Sequence, residues 1–195
     1  MPKIEASNIE EHIRVQTIRI LDAAGDLFRT NGFRTTDMGD IASAMGLARN
    51  SLYRYYASKD HILVACMQRD MRPFIEQISE LEESIADPVE RINAWLDLQI
   101  ELATGPCIAT IKAIGDIREL SPELRTEIAA LHEPQSKVLE SAVADVVKGT
   151  RRDVRLLTGM ISSMVQSAAG QVIERGRKSS VLRELRQSVA RVLAS

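Results

Sequence analysis

The sequence predicts an all-α chain of about nine helices, and three observations predict it. Apolar residues recur at three- and four-residue spacing along nearly the whole length, the pattern of one helix face after another. Proline and glycine are sparse, 6 and 10 in 195 residues, and most stand where helices would start or stop. Ala, Leu, Ile, Arg and Glu are abundant while aromatic residues make up only 4%, a balance that favours helix over strand.

Residues 1 to about 11 are expected to fray. A first helix is read over roughly 11–30, with Ile13, Ile20, Leu21, Ala24, Leu27 and Phe28 on its inner face and Asn31-Gly32 as its stop. In the next stretch Ile41, Ala42 and Met45 form the apolar face of a short helix. The Thr36 hydroxyl is placed to cap its start, Asp37 puts negative charge in its first turn, and Gly46 ends it where a tight turn wants positive φ. A second short helix begins near Arg49. Leu52, Tyr53 and Tyr56 recur on one of its faces, leaving Arg49, Asn50, Ser51, Arg54 and Tyr55 to point outward. Two short helices about a glycine turn form a helix-turn-helix, which places its second helix in the major groove of DNA.

The residues around this motif resemble the TetR family of bacterial transcriptional regulators. The resemblance runs through Arg19-Ile20-Leu21-Asp22-Ala23-Ala24-Gly25-Asp26-Leu27-Phe28, Asn31-Gly32-Phe33, Thr36, Ile41-Ala42, Gly46, Leu52-Tyr53, Tyr56, Ser58-Lys59-Asp60 and Leu63, about 45 residues in all. It departs at Asn50, more often Gly in the family, and at Ala48, more often Ser or Thr. The resemblance implies a three-helix head with Phe28, Phe33, Ile41, Met45, Leu52 and Tyr56 in its core. It also implies a second domain that varies with the effector, and a homodimer on double-stranded DNA. The expected division is 1–57 for the DNA-binding head and 58–195 for an effector-binding and dimerisation body. Arg49, Asn50, Ser51, Tyr53, Arg54 and Tyr55 are the candidate contacts on the reading helix, since Arg pairs with guanine and Asn with adenine. Lys59 and the Thr36 hydroxyl are the candidate phosphate contacts.

Beyond the head, Ser58 is the natural cap of a fourth helix, which Arg72-Pro73 should end or kink, with a further helical segment from 74 to about 85. Asp87-Pro88 reads as cap and first residue of the next helix, and Thr104-Gly105-Pro106 as its stop. Helices are then expected over about 107–120, from Ser121-Pro122-Glu123 to about 148 with a kink at Pro134, over 152–175, and over 180–193. The helix joining head and body is the expected transmission element. Met67, Met71, Phe74, Trp95, Leu98, Leu102, Cys107, Ile111 and His132 are the candidate lining of a cavity for a small, largely apolar effector, Met being adaptable to varied apolar ligands. Near the end, Leu157, Ile161, Met164, Val165, Ala168 and Val172 form one stripe, and Leu185 and Val189 continue the pattern. Two apolar stripes so close to the chain's end are read as the homodimer interface.

Composition closes off other classes. Net charge is −2, but residues 13–59 carry seven basic against four acidic side chains, a net +3, which leaves −5 for the rest. A basic head on an acidic body suits a DNA reader joined to something that is not one. The two cysteines, Cys66 and Cys107, make no metal or redox spacing. None of the phosphate-loop, dinucleotide, zinc-protease or nucleophile-elbow motifs occurs, so neither an enzyme nor a cofactor or metal is expected. The opening MPKIEASNIEEH is too polar for a secretion signal, and no apolar run reaches the length of a membrane span. A cytoplasmic protein is expected, without membrane attachment. The function expected is a ligand-responsive DNA-binding regulator, a repressor on a palindromic operator. The alternative is a DNA-binding or partner-recruiting protein with the same head and no effector.

Overall fold

The computed structural model describes residues 2–105 and 120–194. Among them are eight helices and no strand: α1 (Pro2–Thr30), α2 (Met38–Ala44), α3 (Arg49–Leu52), α4 (Lys59–Ser84), α5 (Pro88–Thr104), α6 (Pro122–Val146), α7 (Val154–Arg175) and α8 (Lys178–Ala194). The chain is all-α, as its periodicity predicts. The helix expected over 107–120 lies, but for Leu120, outside the described residues.

Packing divides the chain into two compact units. One holds the residues through Asp70 and the start of α6 through Ile128. The other holds residues from Met71 through α5, and everything from Ala129 onward. Helices α4 and α6 therefore each contribute to both.

Local chemistry sets the helix ends. Asp87 caps α5 by accepting the amides of Val89 (2.7 Å) and Glu90 (3.0 Å), with Pro88 in the first position where a missing N–H costs nothing. Asp153 caps α7 through the Leu156 amide, and Gly176 ends it in the left-handed region at φ 65°. Arg91, only 8% exposed, donates to the carbonyls of Ile85 and Ala86 just past α4 and reaches Asp145 at 3.3 Å. A buried guanidinium holds its place only with such partners.

Two boundaries differ from expectation. Helix α1 starts at Pro2 rather than near residue 11. Pro2 is harmless in a first position, and no Gly or further Pro interrupts the run before Thr30 until Gly25. Helix α4 runs unbroken through Pro73, whereas α6 contains Pro134 in its interior as expected. An internal proline costs about 3 kcal/mol, and buried neighbours on either side, such as Met71 and Ile78 for Pro73, offset it here.

The second unit has one hydrophobic core. Ile78 and Leu81 of α4, Ile92, Trp95, Leu96 and Ile100 of α5, and Val138, Leu139, Ala142 and Val143 of α6 meet the inner faces of α7 and α8. Leu157, Ile161, Val165, Ala168 and Val172 of α7 and Leu185 and Val189 of α8 are all buried in that core, with Met164 packed half-buried against it. Side chains covered by their own chain are not open to a second copy, so of the expected dimer stripe only Met164 has surface left to meet one. The exposed large apolar residues of α7 are instead Leu156, at 61%, Met160, at 44%, and Ile173, at 39%, near its end.

If Ile161, fully buried, is a core residue and not a contact between copies, Ile161→Ala should lower unfolding free energy by about 2–5 kcal/mol. Urea denaturation followed by circular dichroism, repeated over a range of protein concentrations, is the measurement. A loss that vanishes on dilution would return the residue to an interface.

Candidate nucleic-acid interface and body cavity

The first unit is built around a small core of Ile20, Ala24 and Phe28 of α1, Phe33 of the following turn, Met38 and Ile41 of α2, Leu52 of α3 and Ile62 of α4. Phe28 and Phe33 meet edge to face with ring centres 5.2 Å apart, a favoured aromatic geometry. Of the residues expected in this core, Met45 and Tyr56 are only half-buried. Met38 is inside where the spacing argument overlooked it.

The cap of α2 lies one residue later than expected. Asp37 is the capping residue: its carboxylate accepts the Gly39 (2.5 Å) and Asp40 (3.0 Å) amides, while the Asp40 carboxylate accepts the Asp37 amide at 2.8 Å. This reciprocal box satisfies donors that a helix start leaves free. Hydrogen bonds from the Asp40 and Gly39 amides hold the Asp37 carboxyl below the usual range. Thr36 points the other way. It is 1% exposed, and its hydroxyl donates to the Gly32 carbonyl at 2.9 Å, so it is not offered at the surface as a phosphate donor.

Gly46 turns the chain at φ 67°, and the Leu47 amide closes the end of α2 on the Ala42 carbonyl at 2.8 Å. Helix α3 follows at once, started at Ala48 without a side-chain cap. Leu52 anchors it inward. Arg49, Asn50 and Arg54 are exposed, and Ser51 and Tyr55 are half-buried beside them. Tyr53 is 43% exposed rather than on the inner face, its hydroxyl accepting a 3.4 Å hydrogen bond from Arg49, whose guanidinium lies 6.0 Å from the ring centre.

Lys59 does something the sequence did not reveal. Its ammonium donates to the carbonyls of Phe33 (2.8 Å), Thr36 (2.9 Å) and Arg34 (3.3 Å), and lies 4.5 Å from the Phe33 ring centre. A lysine has three N–H donors, and all three are used. The first residue of α4 is therefore a clamp on the turn between α1 and α2. That corrects its expected role as a free phosphate contact.

Cys66 is buried and its thiol faces the Leu21 carbonyl at 3.5 Å. Burial pushes its pKa up to about 12, which leaves an inert core thiol.

The second unit holds a cavity of about 460 Å3 among α5, α6 and α7. Trp95, Leu102, Val165 and Ala169 form its buried apolar surface, and His132, Ser136 and Gln166 lie toward its rim. The Trp95 indole donates to the Gln135 backbone carbonyl at 2.9 Å, and the Gln99 amide to the Gln135 side-chain oxygen at 2.9 Å. His132 has over a third of its surface open, yet desolvation still lowers its pKa. Of the residues expected around a cavity, Trp95, Leu102 and His132 line this one. Met67, Met71, Phe74 and Leu98 do not. Cys107 and Ile111 fall outside the described residues. Gln99 and Gln135 were overlooked because a polar residue on an apolar face reads as solvent-facing. Among the described residues no cluster suited to a metal ion occurs, and no helix is long and apolar enough to cross a membrane.

Comparison with known proteins agrees with this architecture. The family described as bacterial regulatory proteins, tetR family, matches residues 20–66. The fatty acid metabolism regulator protein of Bacillus subtilis is 24% identical over 186 residues, covering 93% of this chain and 95% of that one. The putative mycofactocin biosynthesis transcriptional regulator MftR of Mycobacterium tuberculosis is 51% identical over 127 residues, 64% of this chain and 62% of its own. In structure, the transcriptional regulator FadR from Bacillus subtilis, solved in complex with stearoyl-CoA, superposes with a TM-score of 0.72 at 23% identity, covering 91% of this chain and 97% of that chain. That likeness is one of fold. With the capped α2, the Gly46 turn and the exposed start of α3, the match over residues 20–66 identifies a TetR-family helix-turn-helix head, on a chain whose relatives are transcriptional regulators.

Proposed function

We propose that this regulator is a ligand-responsive repressor that binds a palindromic operator as a homodimer. The observation that carries the reading is the exposed trio Arg49, Asn50 and Arg54 on a short helix whose approach is fixed by the Asp37 box and the Gly46 turn. Those side chains suit base edges and phosphates in a major groove. Ser51, Tyr53 and Tyr55 flank them. The proposed division of labour gives DNA to the head, and ligand and dimerisation to the body.

The dimer face assigned here is the outer side of α7. Leu156, Gly159, Met160 and Ser163 follow one another at helical spacing, apolar and small side chains together. A Cβ added at Gly159 would meet nothing within 4 Å in its own chain. Glycine costs a helix roughly 0.5–1 kcal/mol relative to alanine, and the close approach of a partner helix would account for it. The effector proposed is a molecule with an apolar chain, held in the cavity beside Trp95. Its largely apolar surface supports this, as do the similarity along 93% of the chain to a fatty acid metabolism regulator and the likeness in fold to FadR, solved in complex with stearoyl-CoA. Release from DNA then requires the effector to bind the DNA-incompetent form more tightly.

Binding to the DNA upstream of the protein's own gene, measured by fluorescence anisotropy, tests the head. Arg49→Ala and Arg54→Ala should each cost about 1–3 kcal/mol. Lys59→Met should also weaken binding, by loosening the turn, but should leave the slope of log affinity against log salt unchanged. A phosphate contact would instead lower that slope by about one. Wild-type affinity in both arginine variants would remove α3 from the groove.

Sedimentation tests the dimer. Met160→Glu should yield monomers at micromolar concentration while leaving the unfolding midpoint of the isolated subunit nearly unchanged. A dimer that survives this charge would move the interface off α7.

A further inference from the structure

We propose that Tyr53 is a positioning residue for base reading: its hydroxyl and ring hold the Arg49 guanidinium ready for one guanine in each half of the operator. This rests on the reading of α3 in a major groove given above. It adds which base is read and what aims the side chain that reads it.

Arg49 and Tyr53 lie four residues apart. Tyr53 keeps right-handed helical geometry just past the end of α3, at φ −64° and ψ −13°, so the two side chains are neighbours on one face. The Arg49 Nη2 donates to the Tyr53 hydroxyl at 3.4 Å, and the guanidinium lies 6.0 Å from the ring centre. Leu52, wholly buried, fixes the backbone from which Tyr53 projects. A tyrosine has only two side-chain torsions to order, whereas a surface arginine has many rotamers to lose. The stiffer side chain therefore sets the place of the looser one.

A second element bears on the same group. Tyr53 first, and more weakly the carboxylate of Asp37, raise the pKa of Arg49. Asp37 is itself pinned by the Gly39 and Asp40 amides at the start of α2. The Arg49 charge thus feels a hydroxyl of its own helix and a fixed carboxylate of the preceding one.

Both contacts with Tyr53 are at the long end of their range, so they bias the guanidinium without consuming it. The hydroxyl takes one of five N–H donors. Those left over can form the parallel pair that guanine accepts at O6 and N7, whereas adenine offers a donor at N6 and meets the fork with a mismatch.

The experiment starts from the operator that the wild-type protein selects out of a pool of random duplexes. Fluorescence anisotropy then follows duplexes in which each base pair of the half-site is replaced in turn. Wild type should lose about tenfold in affinity or more at one G·C pair, and Arg49→Ala should be indifferent to that replacement. Tyr53→Phe keeps the ring and removes the hydroxyl. It should bind the intact operator about three- to tenfold more weakly. It should lose a like factor of preference at that same pair and keep wild-type preference at every other. In the Arg49→Ala background it should change nothing further. A hydroxyl that touches phosphate instead would weaken every duplex equally, in that background too, and would overturn the proposal. Wild-type behaviour of Tyr53→Phe would overturn it as well. A pair other than G·C at the position relaxed by Arg49→Ala overturns the choice of guanine. If the pool yields no preferred sequence, or Arg49→Ala keeps every preference of wild type, the reading of Arg49 as a base contact falls, and this inference with it.

Discussion

The head depends on one ammonium group. Lys59 begins α4, yet its side chain reaches back more than twenty residues to bind the carbonyls of Phe33, Arg34 and Thr36. Those carbonyls belong to a turn in which Gly32 takes φ 87°. Holding them fixes where Asp37 stands, and Asp37 starts α2. Helix α2 ends at Gly46, and the turn there aims α3. A charge-assisted hydrogen bond is about twice as strong as a neutral one, and here one cation makes three. The position of the exposed arginines on α3 therefore rests on a lysine outside the motif that carries them.

Much of this was legible in the sequence where a single residue carries a local rule. Asp87-Pro88 at the start of α5 and Gly46 after α2 each stand where expected, because capping and positive φ are decided within a few residues. Thr36 and Asp37 show the limit. Both are good caps, and the choice between them is made by burial: Thr36 goes inside and gives its hydroxyl to Gly32, which leaves the helix start to Asp37. Lys59 shows another limit, since contacts with residues 23 to 26 positions earlier follow from packing and leave no periodic signal.

The stripe on α7 failed as a guide for a different reason. Period alone says that Leu157, Ile161, Val165 and Val172 share a face, and says nothing of what covers it. Helices α5 and α8 cover it. The opposite face carries Leu156 and Met160 among Gly159 and Ser163, too few large side chains to register as a stripe. The cavity was hidden for a related reason. Gln99 and Gln135 look like interruptions of apolar faces, while Trp95, Leu102 and His132 were legible because large or titratable residues draw notice.

Helices α4 and α6 bear on how a bound ligand would be felt at the DNA. Each contributes to both compact units, and each carries a proline soon after the changeover, Pro73 after Asp70 and Pro134 after Ile128. A proline removes the N–H that would bond four residues back, so α4 lacks that bond at Arg69 and α6 at Ala130. A helix lacking one bond bends there at lower cost. In α6 the next residue is Gln135, which receives the Trp95 indole and the Gln99 amide. Under the proposed function, a ligand that pulls on Gln99 would act on α6 beside its weakest turn. A tenfold loss of operator affinity needs only about 1.4 kcal/mol of preference for one conformation over the other. That is close to what a typical net hydrogen bond contributes, so a single polar contact at Gln99 is of sufficient size to drive the switch.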